Sequence, residues 1–124
     1  MYGLKNIQFI NLDIISQDIN YTADMLISNP PYISQEEIPG LMIDVKDFEP
    51  RVALTDNSDG LEFYRKFSNI IPQVVKKNGV TILEVGRGDH PERVKEIFSK
   101  AGYDNIESVR DLNKDTRVLV INNS

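Results

Sequence analysis

The tetrapeptide Asn29-Pro30-Pro31-Tyr32 follows directly on the apolar run Ala23 to Ser28, and its residue types suit one kind of chemistry. An asparagine carboxamide oxygen and the backbone carbonyl of Pro30 are two acceptors that can share the two protons of a planar NH₂ group. A nitrogen held in this way can rehybridise and aim its lone pair at an electrophilic methyl group. The prolines stiffen a loop whose task depends on close placement. Tyr32 offers an aromatic face that can wall a substrate and interact with a cation. The competing reading is a proline turn that ends a strand, with Tyr32 packed over the core.

Other candidate groups are weaker. Glu84 interrupts the apolar run Val80 to Val85 and needs a partner if buried, which a strand-end hydrogen bond supplies as well as a catalytic role does. His90, the sole histidine, reads as a surface residue at a helix start. Gly86-Arg87-Gly88-Asp89 lacks the spacing of a Walker or dinucleotide loop. Cysteine is absent, so disulfides and thiolate metal sites are excluded, and no metal is expected.

The elements that must position these residues follow from pattern. Ile7 to Ile10 and Ala23 to Ser28 read as buried strands, with a loop over Ser16 to Thr22 between them. The prolines end the second strand, and residues 33 to 59 form a long irregular segment punctuated by Pro39, Gly40, Pro50 and Asp59-Gly60. From Leu61 a helical stripe runs through Tyr64, Phe67, Ile70, Ile71, Val74 and Val75. Pro72 should bend or interrupt it, Lys76 and Lys77 suit its C-terminal end, and Gly79 is placed to close it with positive φ. Val80 to Val85 reads as a central parallel strand. A helix follows with apolar Val94, Ile97, Phe98 and Ala101, N-capped by Asp89 and closed by Gly102. Strands over Ile106 to Arg110 and Arg117 to Ile121 complete an α/β sheet, and open sheets of this class bind ligands at the carboxyl ends of their strands.

Composition narrows the class of protein. With 124 residues, 40% hydrophobic and 27% charged, the chain is one globular domain or part of one. The apolar runs are far shorter than the roughly 20 residues a membrane helix needs, and no basic-then-apolar leader opens the sequence, so a cytoplasmic location is expected. A formal charge of −5 argues against capture of a phosphate backbone and favours a protein or small-molecule substrate.

Taken together, Asn29-Pro30-Pro31-Tyr32-Ile33, Phe48-Glu49-Pro50 with Ala53-Leu54, and Asp59-Gly60-Leu61 with Tyr64-Arg65 resemble the HemK/PrmC family of protein-(glutamine-N5) methyltransferases. The likeness continues through Gly79 to Gly86, Ala101-Gly102-Tyr103 and Arg110-Asp111, and covers the chain from Leu4 to Ile121. It implies the C-terminal part of a Rossmann-like sheet ending in an antiparallel strand pair, with residues 1–124 a partial methyltransferase catalytic domain. It also implies S-adenosyl-L-methionine as cofactor and, as partner, a peptide chain release factor whose Gly-Gly-Gln glutamine amide is methylated.

Carried over by position, Asn29 contacts cofactor and substrate, and Pro30, Pro31 and Tyr32 complete the glutamine pocket. Asp13 matches an acidic position near the adenine, and Ile14 a neighbouring place where family members carry an aromatic, which puts stacking in doubt. The competing reading of Asp13 is a strand-end turn residue. Glu49 helps shape the pocket mouth or is a solvated loop carboxylate. The family's Gly-rich cofactor loop, ribose-binding acid and N-terminal helical domain precede the part that this sequence resembles. The expectation is therefore poor cofactor binding and little or no activity for this polypeptide alone. The strand over Ile7 to Ile10 is likewise expected to fray, re-pair or drive self-association, because its family neighbour is not in the sequence. Two alternatives stand beside this reading: methylation of an exocyclic amine of a nucleobase, and a non-catalytic remnant that binds a partner protein.

Overall fold

Alternating apolar residues and proline punctuation produce four strands and two helices in the described part of the chain. The computed structural model describes residues 6–34, 37, 55–56 and 58–123; Phe48, Glu49, Pro50, Ala53 and Leu54 lie outside the described residues. In chain order the elements are β1 (Ala23–Ser28), α1 (Glu62–Val74), β2 (Val75–Glu84), α2 (His90–Lys100), β3 (Ile106–Arg110) and β4 (Thr116–Asn123). The sheet order is β1-β2-β4-β3, with β1 parallel to β2 and β4 antiparallel to both of its neighbours. This is the expected mixed α/β sheet ending in an antiparallel pair.

Side chains alternate across a strand, and here the alternation separates two unlike faces. Thr81 and Leu83 of β2 lie opposite Ile121 and Leu119 of β4, and all four are fully buried. They form one core with Tyr64, Phe67 and Ile71 of α1 and Val94 and Phe98 of α2, so both helices cover this face. The other face carries Met25 and Ile27 of β1, paired with Val80 and Ile82 of β2. Met25 is 50% and Ile27 67% exposed, and no described element covers them.

Three expectations change. Ile7 to Ile10 forms no strand: the run is irregular, and Phe9 is 81% exposed. A β-rich run without a neighbouring ladder leaves its amides and carbonyls to water, and no described strand adjoins this one. α1 passes through Pro72 and stops two residues later, at Val74, where the chain turns directly into β2. Lys76 and Lys77 therefore belong to the strand and not to a helix end. The positive φ expected at Gly79 belongs to Asn78, at 68°, within an irregularity where the β1–β2 register jumps from Val75 to Val80.

The β3–β4 connector is built by Asp111. Its carboxylate accepts from the amides of Asn113 and Asp115 and from Arg117 Nε at 2.8 Å, which holds the turn and lowers the Asp111 pKa, the Arg117 bond contributing most.

Candidate functional site

At the carboxyl end of β1 the chain enters the proline loop. Asn29 is exposed, Pro30 is buried, and Pro31 and Tyr32 are half-buried. Burying Pro30 costs little, since proline has no amide hydrogen to satisfy. It anchors the loop from which the Asn29 carboxamide faces solvent. Beyond Tyr32, Ile33 pairs in parallel with Thr55, tying the loop to the turn that precedes α1.

That turn is shaped by two carboxylates. Asp56 accepts from the backbone amides of Ser58 and Gly60 through one oxygen and from Glu62 through the other. Asp59 accepts from the Leu61 amide and forms an ion pair with Arg65, which is the main reason that its pKa is lowered. Together they satisfy amides that the start of a helix leaves without partners. Gly60, at φ 86°, then passes beneath Tyr32.

His90 joins these pieces. It is buried, which corrects the surface position expected for it. The Gly86 amide donates to His90 Nδ1 at 2.9 Å, and Nε2 lies 2.9 Å from the Gly60 carbonyl oxygen. Because Nδ1 accepts, Nε2 must carry the proton and donate to Gly60, so the ring is neutral and of one tautomer. Its ring centroid is 5.6 Å from that of Tyr32 and 5.1 Å, edge-on, from that of Tyr64. Burial is the chief cause of the lowered His90 pKa. Tyr64 donates to the Glu84 carbonyl at 2.6 Å, and burial pushes its phenol well above the ordinary range. This bond is made by the Glu84 backbone; its side chain, on which the expectation of a strand-end bond rested, is half-buried.

Two cavities meet the 55–60 turn. One, of about 330 Å³, is lined by Tyr32, Ile33, Asp59, His90 and the guanidinium-bearing Arg87 and Arg93, among others. The second, of about 530 Å³, is lined by Asp13, Ile14, Thr55, Asp56 and Phe63, among others. The sequence-derived site residues are thereby divided. Asp13 and Ile14 share the second cavity, Tyr32 borders the first, and Asn29, Pro30 and Pro31 line neither. Asp13 is exposed; its carboxylate accepts from the Ile15 amide at 3.0 Å, a bond that is the main cause of its lowered pKa. It is therefore a turn residue whatever else it does. Glu49 lies outside the described residues.

No protein-family model matches the chain. Comparison with curated proteins gives a specific result. The release factor glutamine methyltransferase of Clostridium acetobutylicum is 41% identical over 97 residues, covering 78% of this chain and 34% of that protein. The one from Bacillus subtilis is 37% identical over 118 residues, covering 92% of this chain and 40% of that protein. The one from Fusobacterium nucleatum is 33% identical, again over 118 residues, covering 94% and 33%.

The chain is homologous to part of the release factor glutamine methyltransferases.

It spans between about a third and two fifths of the length of these relatives. In three dimensions it resembles a methyltransferase from Pyrococcus furiosus, with a TM-score of 0.57 at 18% identity, covering 86% of this chain and 43% of that one. A second likeness, to a possible exported protein from Bordetella parapertussis, has a TM-score of 0.53 at 15% identity. At these identities the likeness supports the α/β architecture alone.

Two residues central to the site are absent from the sequence-derived set. Asp56 carried a usable signal, an acidic residue placed before an apolar helical stripe with a second one at Asp59. His90 carried none, because its partners Gly60 and Gly86 are backbone groups brought together only by the fold.

Proposed function

We propose that this chain provides the substrate-orienting part of an S-adenosylmethionine-dependent N-methyltransferase that acts on the glutamine side-chain amide of a peptide chain release factor. The observation carrying this reading is the placement of Asn29-Pro30-Pro31-Tyr32 at the carboxyl end of a parallel strand, in a chain homologous to part of the release factor glutamine methyltransferases. Asn29 is the exposed member of the loop, as an amide-orienting group must be. Its carboxamide oxygen and the Pro30 carbonyl take the two amide protons, while Tyr32 walls the glutamine. Tyr32 is fixed from behind by His90 and from below by Gly60.

The second cavity has the chemistry of an adenosine site. Its volume of about 530 Å³ is of ligand size, Ile14 and Phe63 give apolar surface, and the lowered pKa of Asp13 keeps a carboxylate at its edge. Asp13 and Ile14 are proposed to hold the adenine end there, with Ile14 packing in place of an aromatic. S-adenosylmethionine, when bound, supplies a methyl group on a sulfonium, an electrophile that needs no metal to activate it. The chain's own residues orient the nucleophile, exclude water from around Tyr32 and leave the departing amide proton to solvent.

Residues 1–22 hold one glycine, Gly3, so a Gly-rich loop for the methionine end of the cofactor is not encoded there. The proposal is that this polypeptide by itself binds the cofactor weakly and turns over little. Two linked experiments test it. Calorimetric titration with S-adenosylmethionine and S-adenosylhomocysteine reads the cofactor site. A radiolabelled-methyl assay offers a release factor, and in parallel single-stranded DNA and RNA, to the chain alone and to the chain mixed with the remaining portion of a related methyltransferase. Labelling of a release factor in the mixture supports the reading; labelling of nucleic acid alone overturns the substrate. No labelling from a folded, cofactor-saturated mixture overturns the reaction.

A further inference from the structure

Among the described residues His90 and Tyr64 are buried titratable side chains that the proposed methyl transfer does not use, and His90 touches three segments around the Tyr32 cleft. Its Nδ1 meets the turn after β2 at Gly86, its Nε2 the turn before α1 at Gly60, and its ring faces that of Tyr32 in the loop after β1. Gly86 is a close fit: a β-carbon there would lie 2.8 Å from Tyr32 Cδ2 and 3.2 Å from His90 Cγ. Gly86 thus sits against both rings, and the imidazole packs on Tyr32 with little room between them.

We propose that His90 is a positioning residue for the Asn29-Pro30-Pro31-Tyr32 loop, acting as a neutral pin that fixes Tyr32 against the two turns. The inference rests on the functional reading above only for what the loop is for. The pin depends on the ring's protonation, since an imidazolium has two donors and the Gly86 amide then faces N–H instead of a lone pair. The groups that face it are Tyr32 from the loop, Tyr64 from α1, Glu37 from the segment beyond the loop, and Asp89 and Arg93 at its own helix. Burial and Arg93 oppose the charged form, the bond to the Gly60 carbonyl, Glu37 and Asp89 favour it, and burial, the largest of these, leaves the pKa lowered.

A sole histidine makes the test direct, because every imidazole NMR signal comes from His90. The chain would be labelled with ¹⁵N-histidine and ring-¹³C tyrosine, with Tyr32 assigned through Tyr32→Phe, and titrated towards acid. The expected result is an unprotonated Nδ1 and a protonated Nε2 that persist below the ordinary histidine range. When the ring finally protonates, the Tyr32 signals should move towards the free-tyrosine position while those of Tyr103, packed on Phe98, stay in place. His90→Ala should displace Tyr32 in the same way near neutral pH, and His90→Gln, which keeps an N–H for the Gly60 carbonyl, should restore part of the native shift.

An imidazole that titrates as a free histidine, or Tyr32 signals indifferent to its protonation, overturns the proposal. Simultaneous loss of the Tyr32 and Tyr103 signals also overturns it, showing a core residue and no local pin. If His90→Ala does not fold, the wild-type titration decides alone. The readout needs no turnover, so this pattern together with no labelling from the folded, cofactor-saturated mixture sinks the functional reading and leaves the inference standing.

Discussion

Gly60 passes so close beneath Tyr32 that a β-carbon on Gly60 would lie 2.4 Å from the Tyr32 carbonyl oxygen. Its φ of 86° is also one that other residues adopt at a cost. Gly60→Ala meets both penalties at once, and backbone stands in the way of relief. The expected loss of stability is about 2–3 kcal/mol. Gly86→Ala meets the Tyr32 ring, which can swing aside, and should cost about 1 kcal/mol while displacing Tyr32. Urea midpoints of the two variants give the ranking.

The turn before α1 depends on a single side chain for three backbone hydrogen bonds, those from Ser58, Gly60 and Glu62 to Asp56. Asp56→Ala is expected to destabilise the protein by about 1–2 kcal/mol, in the range of a lost helix cap. Asp59→Ala should cost less, since its ion pair with Arg65 is partly exposed to solvent. Thermal unfolding of both variants under one buffer condition checks the order.

Thr81 lies at the centre of β2 with no exposure, and its hydroxyl is without a hydrogen-bond partner among the described residues. Valine has nearly the same shape and no polar atom to desolvate. Thr81→Val should therefore stabilise the fold by about 1 kcal/mol. An unchanged or lower urea midpoint would show that the hydroxyl is satisfied after all.

Acid should unfold the chain in two stages. The His90 pKa is lowered on folding, so the unfolded chain binds the proton more readily. Stability is then complete above the unfolded histidine value and falls as pH drops from that value towards the folded one. The carboxylates of Asp13, Asp59, Glu96 and Asp111 are also lowered. Their contributions are present above the ordinary carboxylate range and disappear as pH falls through the lowered values. Urea midpoints across the pH range should show both declines, and His90→Gln should remove the upper one only.

Asn29 is exposed directly after β1, at the start of the proline loop. Asn29→Ala should change stability by less than about 0.5 kcal/mol. On the proposed function, methyl transfer to a release factor by the complemented chain should fall on the order of 100-fold, the scale for removing one positioned polar group. Equal activity of the variant and the parent would remove Asn29 from the mechanism.

Much of this architecture was legible in the sequence because local pattern and tertiary packing agree. Ala23 to Ser28, the stripe from Tyr64 to Val74 and the pair around Asp111 each sit where periodicity and punctuation place them. The departures occur where nonlocal geometry decides. Ile7 to Ile10 has strand composition and no strand beside it. Lys76 to Gly79 has helix-end chemistry, yet the chain is already committed to β2, and Asn78 takes the left-handed conformation instead. At the site, the strand-loop origin of Asn29 to Tyr32 was readable. The burial of His90 was not, because polar residues at a helix start usually face water and this one is enclosed by Tyr32 and Gly60, both distant in sequence, as well as by the turn at Gly86.

The sheet order also sets a sequence of events at the ribosome. β4, last of the four strands in sequence, lies between β2 and β3. Until it emerges, β3 has no edge to join, and Thr81 and Leu83 lack their opposite numbers Ile121 and Leu119. A nascent chain that has exposed only β1, α1, β2 and α2 holds one parallel strand pair and an unsealed core, the kind of intermediate on which chaperones act. Completion of the fold is thus late and stepwise across the sheet: β4 must pair with β2 before β3 has a neighbour, and its arrival closes the helix-covered face.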